Sequence, residues 1–159
     1  PREQLVADAR ASLQAAGLDL SGVTDEAILK VLQVMGDRIR IPRDVAEQAG
    51  FFFTEDYAFD PKAVDKRLRP AGVAALLTQL RDRFAALPAF DAAALEATLE
   101  KLATDLGLKN ADLVHPLRVA VSGSQAGPGL YDMLALLGRD RVASRIARAL
   151  TLVGPAPSG

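Results

Sequence analysis

The chain contains no cysteine, no tryptophan and a single histidine, and only 5% of its 159 residues are aromatic. Without thiols there is no disulfide framework, iron–sulfur cluster or thiolate zinc site, and an intracellular (cytoplasmic) origin is the expectation. His115 stands alone, with no HExxH, EF-hand or carboxylate–histidine cluster beside it, so no metal centre is expected. Next to Pro116 in an apolar context, it is expected to be structural. There is no GxSxG elbow, Ser122-Gly123-Ser124 lacks the spacing of a P-loop, and no GxGxxG follows a strand pattern. Acidic pairs such as Asp25/Glu26 and Glu55/Asp56 fall at helix starts or in loops, where capping and solvation account for them. The chain is therefore expected to act by binding, with no catalytic residue and no cofactor of its own. Apolar runs stop far short of the roughly 20 residues that span a bilayer, so no membrane role is expected. No basic-then-apolar leader opens the sequence. The first residue is Pro1 rather than Met, which suggests a piece of a longer protein.

What is present favours helix. Hydrophobic residues make up 50% and charged residues 25%, the balance of a globular protein. Alanine and leucine dominate, and both lose little rotamer freedom in a helix. Leu5, Ala9, Leu13 and Ala16 share one face of a first helix that Gly17 can close. Thr24 can cap a second, with the stripe Ile28, Val31, Leu32, Met35 and Ile39. Asp60-Pro61 restarts the pattern with Val64 and Leu68 inward, and Pro70 closes this short segment. A long helix follows with Val73, Leu76, Leu77, Leu80, Phe84 and Leu87 in register. Asp91 caps another, with Leu95, Leu99, Leu102 and Leu106 inward and Gly107 after it. Period does not decide between strand and buried helix for Val119 to Val121, although Pro116 at a helix start favours helix. Residues 122–129 are expected to form a loop, with Pro128 opening the next helix and Leu130, Leu134 and Leu137 inward. The last helix places Val142, Ile146, Ala149 and Leu150 on one face and Arg141, Arg145 and Arg148 on the other. The expected fold is all-α, two small helical subdomains without a sheet.

Five of the eight Phe and Tyr residues fall between Phe51 and Phe59. No helical period fits them, so they are expected to form an irregular hinge whose rings plug between helical packs. The expected divisions are 1–53, 54–153 and a frayed tail at 154–159. Charge is uneven: residues 1–106 carry 13 basic and 17 acidic side chains, and residues 107–159 carry 6 and 3. The basic end has the sign that suits phosphate, and arginine outnumbers lysine 14 to 5. A solvated arginine face accounts for Arg141, Arg145 and Arg148 equally well.

Three stretches carry more specific information. They are His115-Pro116-Leu117-Arg118-Val119-Ala120-Val121-Ser122-Gly123, then Gly127-Pro128-Gly129-Leu130-Tyr131, then Leu134-Ala135-Leu136-Leu137-Gly138-Arg139-Asp140-Arg141. Together they resemble the closing segment of bacterial-type glutamyl-tRNA synthetases, whose pattern runs H/Q-P-L-R-x-A-x-T/S-G, x-P-G-L/I-F/Y, L-L-G-K/R-x-R. Phe51-Phe52-Phe53 with Glu55, Asp56 and Tyr57 is similar to the family's aromatic–acidic segment. Signatures like the family's HIGH and KMSKS do not occur here, so the resemblance implies the C-terminal anticodon-binding region alone, an α-helix cage. ATP and Mg²⁺ belong, by the same resemblance, to a separate N-terminal catalytic part. The partner it implies is the anticodon loop of glutamate tRNA, and the oligomeric state it implies is a monomer.

Carried over residue by residue, the resemblance points to Arg118, Gly127, Pro128 and Leu130 for anticodon contact. The family often has Thr where Gly127 stands, which removes a hydroxyl contact and leaves a backbone one. For reading the last anticodon base it offers Arg38 or Arg40, with Arg43 as a third option. Splayed bases of a single-stranded loop expose edges that a guanidinium fork can bond, and Pro-Gly-Leu is expected to present amides and an apolar platform. The rival reading is a helical protein-interaction module without RNA binding.

Overall fold

The computed structural model describes residues 1–153; the frayed tail expected at 154–159 lies outside the described residues. Its backbone is helical, with nine α-helices and no strand among the described residues. The chain divides into two compact units, Pro1–Ala58 and Phe59–Gly159, where the sequence suggested a change after Phe53.

The first unit is built from α1 (Arg2–Ala15), α2 (Asp25–Met35) and α3 (Pro42–Ala49), with single 3-10 turns at Gly36–Arg38 and Gly50–Phe53. Val6, Ala9, Leu13, Leu20, Ile28 and Val45 form its core. The middle of the stripe expected on α1 is buried at Ala9 and Leu13, but its ends differ: Val6 is covered, whereas Leu5 is 62% exposed and Ala16 lies on the surface. Thr24 caps α2 as expected, its hydroxyl oxygen accepting from Ala27 N–H at 3.1 Å. That helix stops at Met35, earlier than the stripe suggested, because Gly36 takes a φ of +54° that breaks the α ladder. Ile39 still packs on the core, but from outside the helix. Phe52 and Tyr57 are buried within this unit.

The second unit comprises α4 (Pro61–Ala63), α5 (Val73–Ala85), α6 (Ala92–Leu106), α7 (Asn110–Ser122), α8 (Leu130–Leu137) and α9 (Arg139–Leu152). From α4 the chain passes directly into a π turn, Val64–Leu68, in which Arg69 N–H reaches back five residues to the Val64 carbonyl. Asp60 and Asp91 cap α4 and α6, accepting from Lys62 N–H at 3.2 Å and Ala94 N–H at 2.9 Å. Leu95, Leu99 and Leu102 are buried, but Leu106 at the end of α6 is 41% exposed.

The central element is α7, which packs against α5, α6, α8, α9 and the π turn. Leu117, Val119, Ala120 and Val121 are all buried, so the C-terminal half of the helix is covered on nearly every side, with Arg118 half-buried among them. Such a helix shows neither clean period, which is why the sequence left strand open. Pro116 is not at its start: α7 begins at Asn110, and the proline sits in its second turn. Asp112, in the first turn, accepts from the N–H of the cap residue Lys109 at 3.0 Å and closes the N-terminus there. Pro128 likewise does not open a helix; α8 begins at Leu130, with Gly129 at its cap.

The expected solvent face of α9 needs a larger correction. Arg145 is only 1% exposed and donates from Nη1 to the Val121 carbonyl, at 2.7 Å, in the last turn of α7. Arg148 is half-buried, with its guanidinium 5.1 Å from the centre of the Phe59 ring. Arg139 donates to the Phe84 and Ala85 carbonyls at 3.1 and 2.9 Å, closing the end of α5, and lies 5.3 Å from the Phe90 ring centre. The arginines of the basic C-terminal third are in large part structural.

Candidate nucleic-acid interface

The loop between α7 and α8 is held at both ends. Gly123 ends α7 at a φ of +80°, which an L side chain adopts only with strain, and its N–H reaches the Val119 carbonyl at 2.7 Å. Its own carbonyl accepts from Asp60 N–H at 2.9 Å, tying the loop to the start of α4. Ser122 donates its hydroxyl to the Arg118 carbonyl at 2.7 Å, and that oxygen accepts from Ser124 N–H at 3.3 Å. At the far end Arg118 donates from Nη1 to the Pro128 carbonyl at 2.7 Å. An ideal Cβ on Gly127 would stand 3.0 Å from that same nitrogen. Glycine thus gives the guanidinium room to lie against the loop.

Arg118, Gly127, Pro128 and Leu130 are therefore brought together in the second unit. Their surfaces differ from the expectation. Arg118 is half-buried and spends one donor on the loop backbone, while Pro128 and Leu130 are buried. The apolar platform expected from Pro-Gly-Leu is turned into the core, because Leu130 starts the inward stripe of α8. The loop exposes Gln125, Ala126 and Gly129 instead.

The arginines offered for the last anticodon base lie in the first unit. Arg38 ends the 3-10 turn after α2, and Arg40 and Arg43 flank the start of α3. All three are exposed. Asp44 organises the segment by accepting from Arg40 N–H at 3.0 Å and Ile41 N–H at 3.2 Å. These bonds, the one from Arg40 first, hold its carboxyl below the ordinary carboxylate range.

One cluster was not anticipated. Lys66 and Arg67 on the π turn, and Lys109, Asp112, His115 and Pro116 around the start of α7, line an open groove of about 400 Å³. Burial holds His115 below its ordinary 6.5, with Arg67, Arg118 and Lys66 acting in the same sense and Asp112 opposing. Arg67 donates from Nε to Gln125 at 3.1 Å, so the groove adjoins the loop. On another side the loop meets a second hollow, where Glu96 and Asp132 make the lining acidic beside Tyr131. The Tyr131 hydroxyl is pushed up, first by burial and then by Glu96 and Glu100. Among the described residues no His, Asp and Glu groups are placed to hold a metal, and no helix is long and apolar enough to cross a membrane.

Residues 4–150 match the family model described as an anticodon binding domain. The chain belongs to that family. It is 38% identical over 122 residues to the glutamate–tRNA ligase of Moorella thermoacetica, covering 77% of this chain and 25% of that protein. Against the glutamate–tRNA ligase of Desulforudis audaxviator it is 31% identical over 160 residues, covering 97% of this chain and 32% of the relative. A crystal structure of a glutamate tRNA ligase from Elizabethkingia meningosepticum matches with a TM-score of 0.82 at 27% identity, over 96% of this chain and 29% of that one. This anticodon-binding chain thus spans about a quarter to a third of the length of the curated relatives it matches. Its all-α fold and its resemblance to glutamyl-tRNA synthetases agree with these relatives.

Proposed function

We propose that this chain recognises the anticodon loop of glutamate tRNA as the anticodon-binding part of a glutamate–tRNA ligase. The match to the anticodon binding domain family over residues 4–150 carries the reading. The clamped loop at Arg118 and Pro128 supports it, since a fixed backbone edge beside a guanidinium suits a splayed base. Gly127 and Gly129 offer backbone there, with Pro128 and Leu130 anchoring the edge from beneath, and Arg38, Arg40 or Arg43 serves the last anticodon base. The parent ligase joins glutamate to tRNA with ATP and Mg²⁺, in a catalytic part outside these 159 residues, and acts as a cytoplasmic monomer. A helical protein-interaction module without RNA binding is the weaker reading, because nothing in it accounts for the family match.

The test is a titration of glutamate tRNA against a non-cognate tRNA at two salt concentrations. Binding is expected to be weak, salt-sensitive and reduced when the anticodon bases are changed. Arg118→Ala is expected to lower anticodon discrimination by roughly 10- to 100-fold, the worth of one good base contact, while the fold survives. Separate replacement of Arg38 and Arg40, compared on glutamate and glutamine tRNA, locates the reader of the last base. Equal binding of all tRNAs, whatever their anticodon, overturns the reading.

A further inference from the structure

The basic groove beside the loop has a chemistry of its own. Lys66, Arg67 and Lys109 bring three fixed cations to its lining, against the single carboxylate of Asp112. That carboxylate is already engaged as an acceptor for Lys109 N–H. The groove also opens over the first residues of α7, a 13-residue helix whose positive end adds to the same field. Lys66 and Arg67 are neighbours in the π turn, and both long side chains line the one groove. Lys66 and Lys109 are exposed, and neither forms a packing core. Cations converging from two elements, around a floor that includes Pro70, Val73 and Pro116, suit a strand of phosphates, whose charge they meet at the rim.

Position supports the same occupant. His115 in the groove and Arg118 at the loop are three residues apart on α7, hence neighbours on one helix face. The Arg67–Gln125 bond joins the groove wall to the loop itself. A nucleotide chain lying on the loop has its flanking phosphates within reach of the groove, whereas the hollow lined by Glu96 and Asp132 repels them.

We propose that the groove lined by Lys66, Arg67, Lys109 and His115 is a phosphate-backbone site that holds the RNA strand flanking the bases presented to the Arg118–Pro128 loop. The site rests on the RNA-binding reading above, and it assigns affinity and register to residues that carry no sequence discrimination.

The experiment compares the 159-residue protein with the Lys66→Gln/Lys109→Gln double variant. Each binds transcripts of glutamate tRNA with its own and with a changed anticodon, at salt from about 50 to 200 mM. Each lost phosphate contact lowers the slope of log K against log salt by about 0.7–0.9, which at 0.1 M salt is roughly 5- to 8-fold in affinity. The double variant is expected to lose about 25- to 60-fold on both transcripts and to keep the ratio between them. Circular dichroism melts check that both proteins are folded. Nuclear magnetic resonance titration of His115 is expected to show its pKa rising on saturation with RNA, as phosphate offsets the field of Arg67, Arg118 and Lys66 and adds to that of Asp112. An unchanged salt slope overturns the proposal, as does a collapse of the ratio without a slope change, which assigns the groove to base reading. Saturation of the His115 shift by micromolar inorganic phosphate, with unchanged tRNA slopes, makes it a free-anion site and overturns the RNA assignment. If the unsubstituted protein ignores the anticodon while the double variant still loses slope, the anticodon reading fails and the groove stands. Absence of RNA binding overturns both.

Discussion

Replacing Arg145 by alanine probes the residue whose place in the fold differs most from its place in the sequence pattern. On a solvated helix face the change costs within about 0.5 kcal/mol. In the structure the side chain is 1% exposed, and its Nη1 supplies a donor to the Val121 carbonyl at the end of α7. Alanine leaves a cavity of the size that costs about 2–5 kcal/mol when a long core side chain is truncated. It also withdraws a buried donor from a carbonyl, about 1–3 kcal/mol. Relief from burying a guanidinium offsets part of the sum. The expected net loss is about 3–5 kcal/mol, or roughly 6–20 °C in Tm for a chain of this length. Arg145→Met fills the space without the donor and is expected to cost about 1–2 kcal/mol. Urea unfolding followed by circular dichroism measures both, with amide exchange in α7 and α9 as the local readout. A loss below about 0.5 kcal/mol for the alanine variant, or a methionine variant as unstable as alanine, refutes this account of the α7–α9 contact.

Other outcomes follow from single contacts. Gly127→Thr places a Cβ 3.0 Å from the movable end of Arg118, so the stability cost is expected to stay below about 1 kcal/mol. Amide exchange at positions 127 and 129 quickens as the Arg118–Pro128 bond is displaced; a cost above about 2 kcal/mol shows instead that the arginine cannot give way. His115 has a folded pKa below 6.5, so the unfolded chain binds more protons in that range. Stability from this group is present above pH 6.5, declines as pH falls through and below it, and levels off beneath the folded value. His115→Gln is expected to flatten that part of the profile, measured as the difference in unfolding free energy from the unsubstituted protein; identical slopes contradict it. Asp91→Ala removes the acceptor for Ala94 N–H at 2.9 Å and is expected to cost about 1 kcal/mol, some 2–4 °C in Tm. An unchanged melting temperature shows that water caps α6 equally well.

Local rules read from the chain decided much of this protein. Thr24, Asp60 and Asp91 cap helices because a side-chain oxygen needs only its own next few amides. Leu95, Leu99 and Leu102 turn inward because a 3.6-residue period needs no partner to be visible. The loop at 122–129 was legible for the same reason, whereas Arg118 and Pro128 were singled out by resemblance to the synthetase family. Packing decided the rest. Which residues at the two ends of α1 are covered, and whether Val119 to Val121 is helix, depend on neighbours far away in sequence. Arg141, Arg145 and Arg148 read as one charged face, yet Arg145 is buried on an α7 carbonyl and Arg148 is half-buried over Phe59. Lys66 and Lys109 share a groove only because a π turn and the start of α7 meet in space. Caps, turns and periods are short-range and so belong to the sequence, whereas burial and the convergence of charge are properties of the assembled chain.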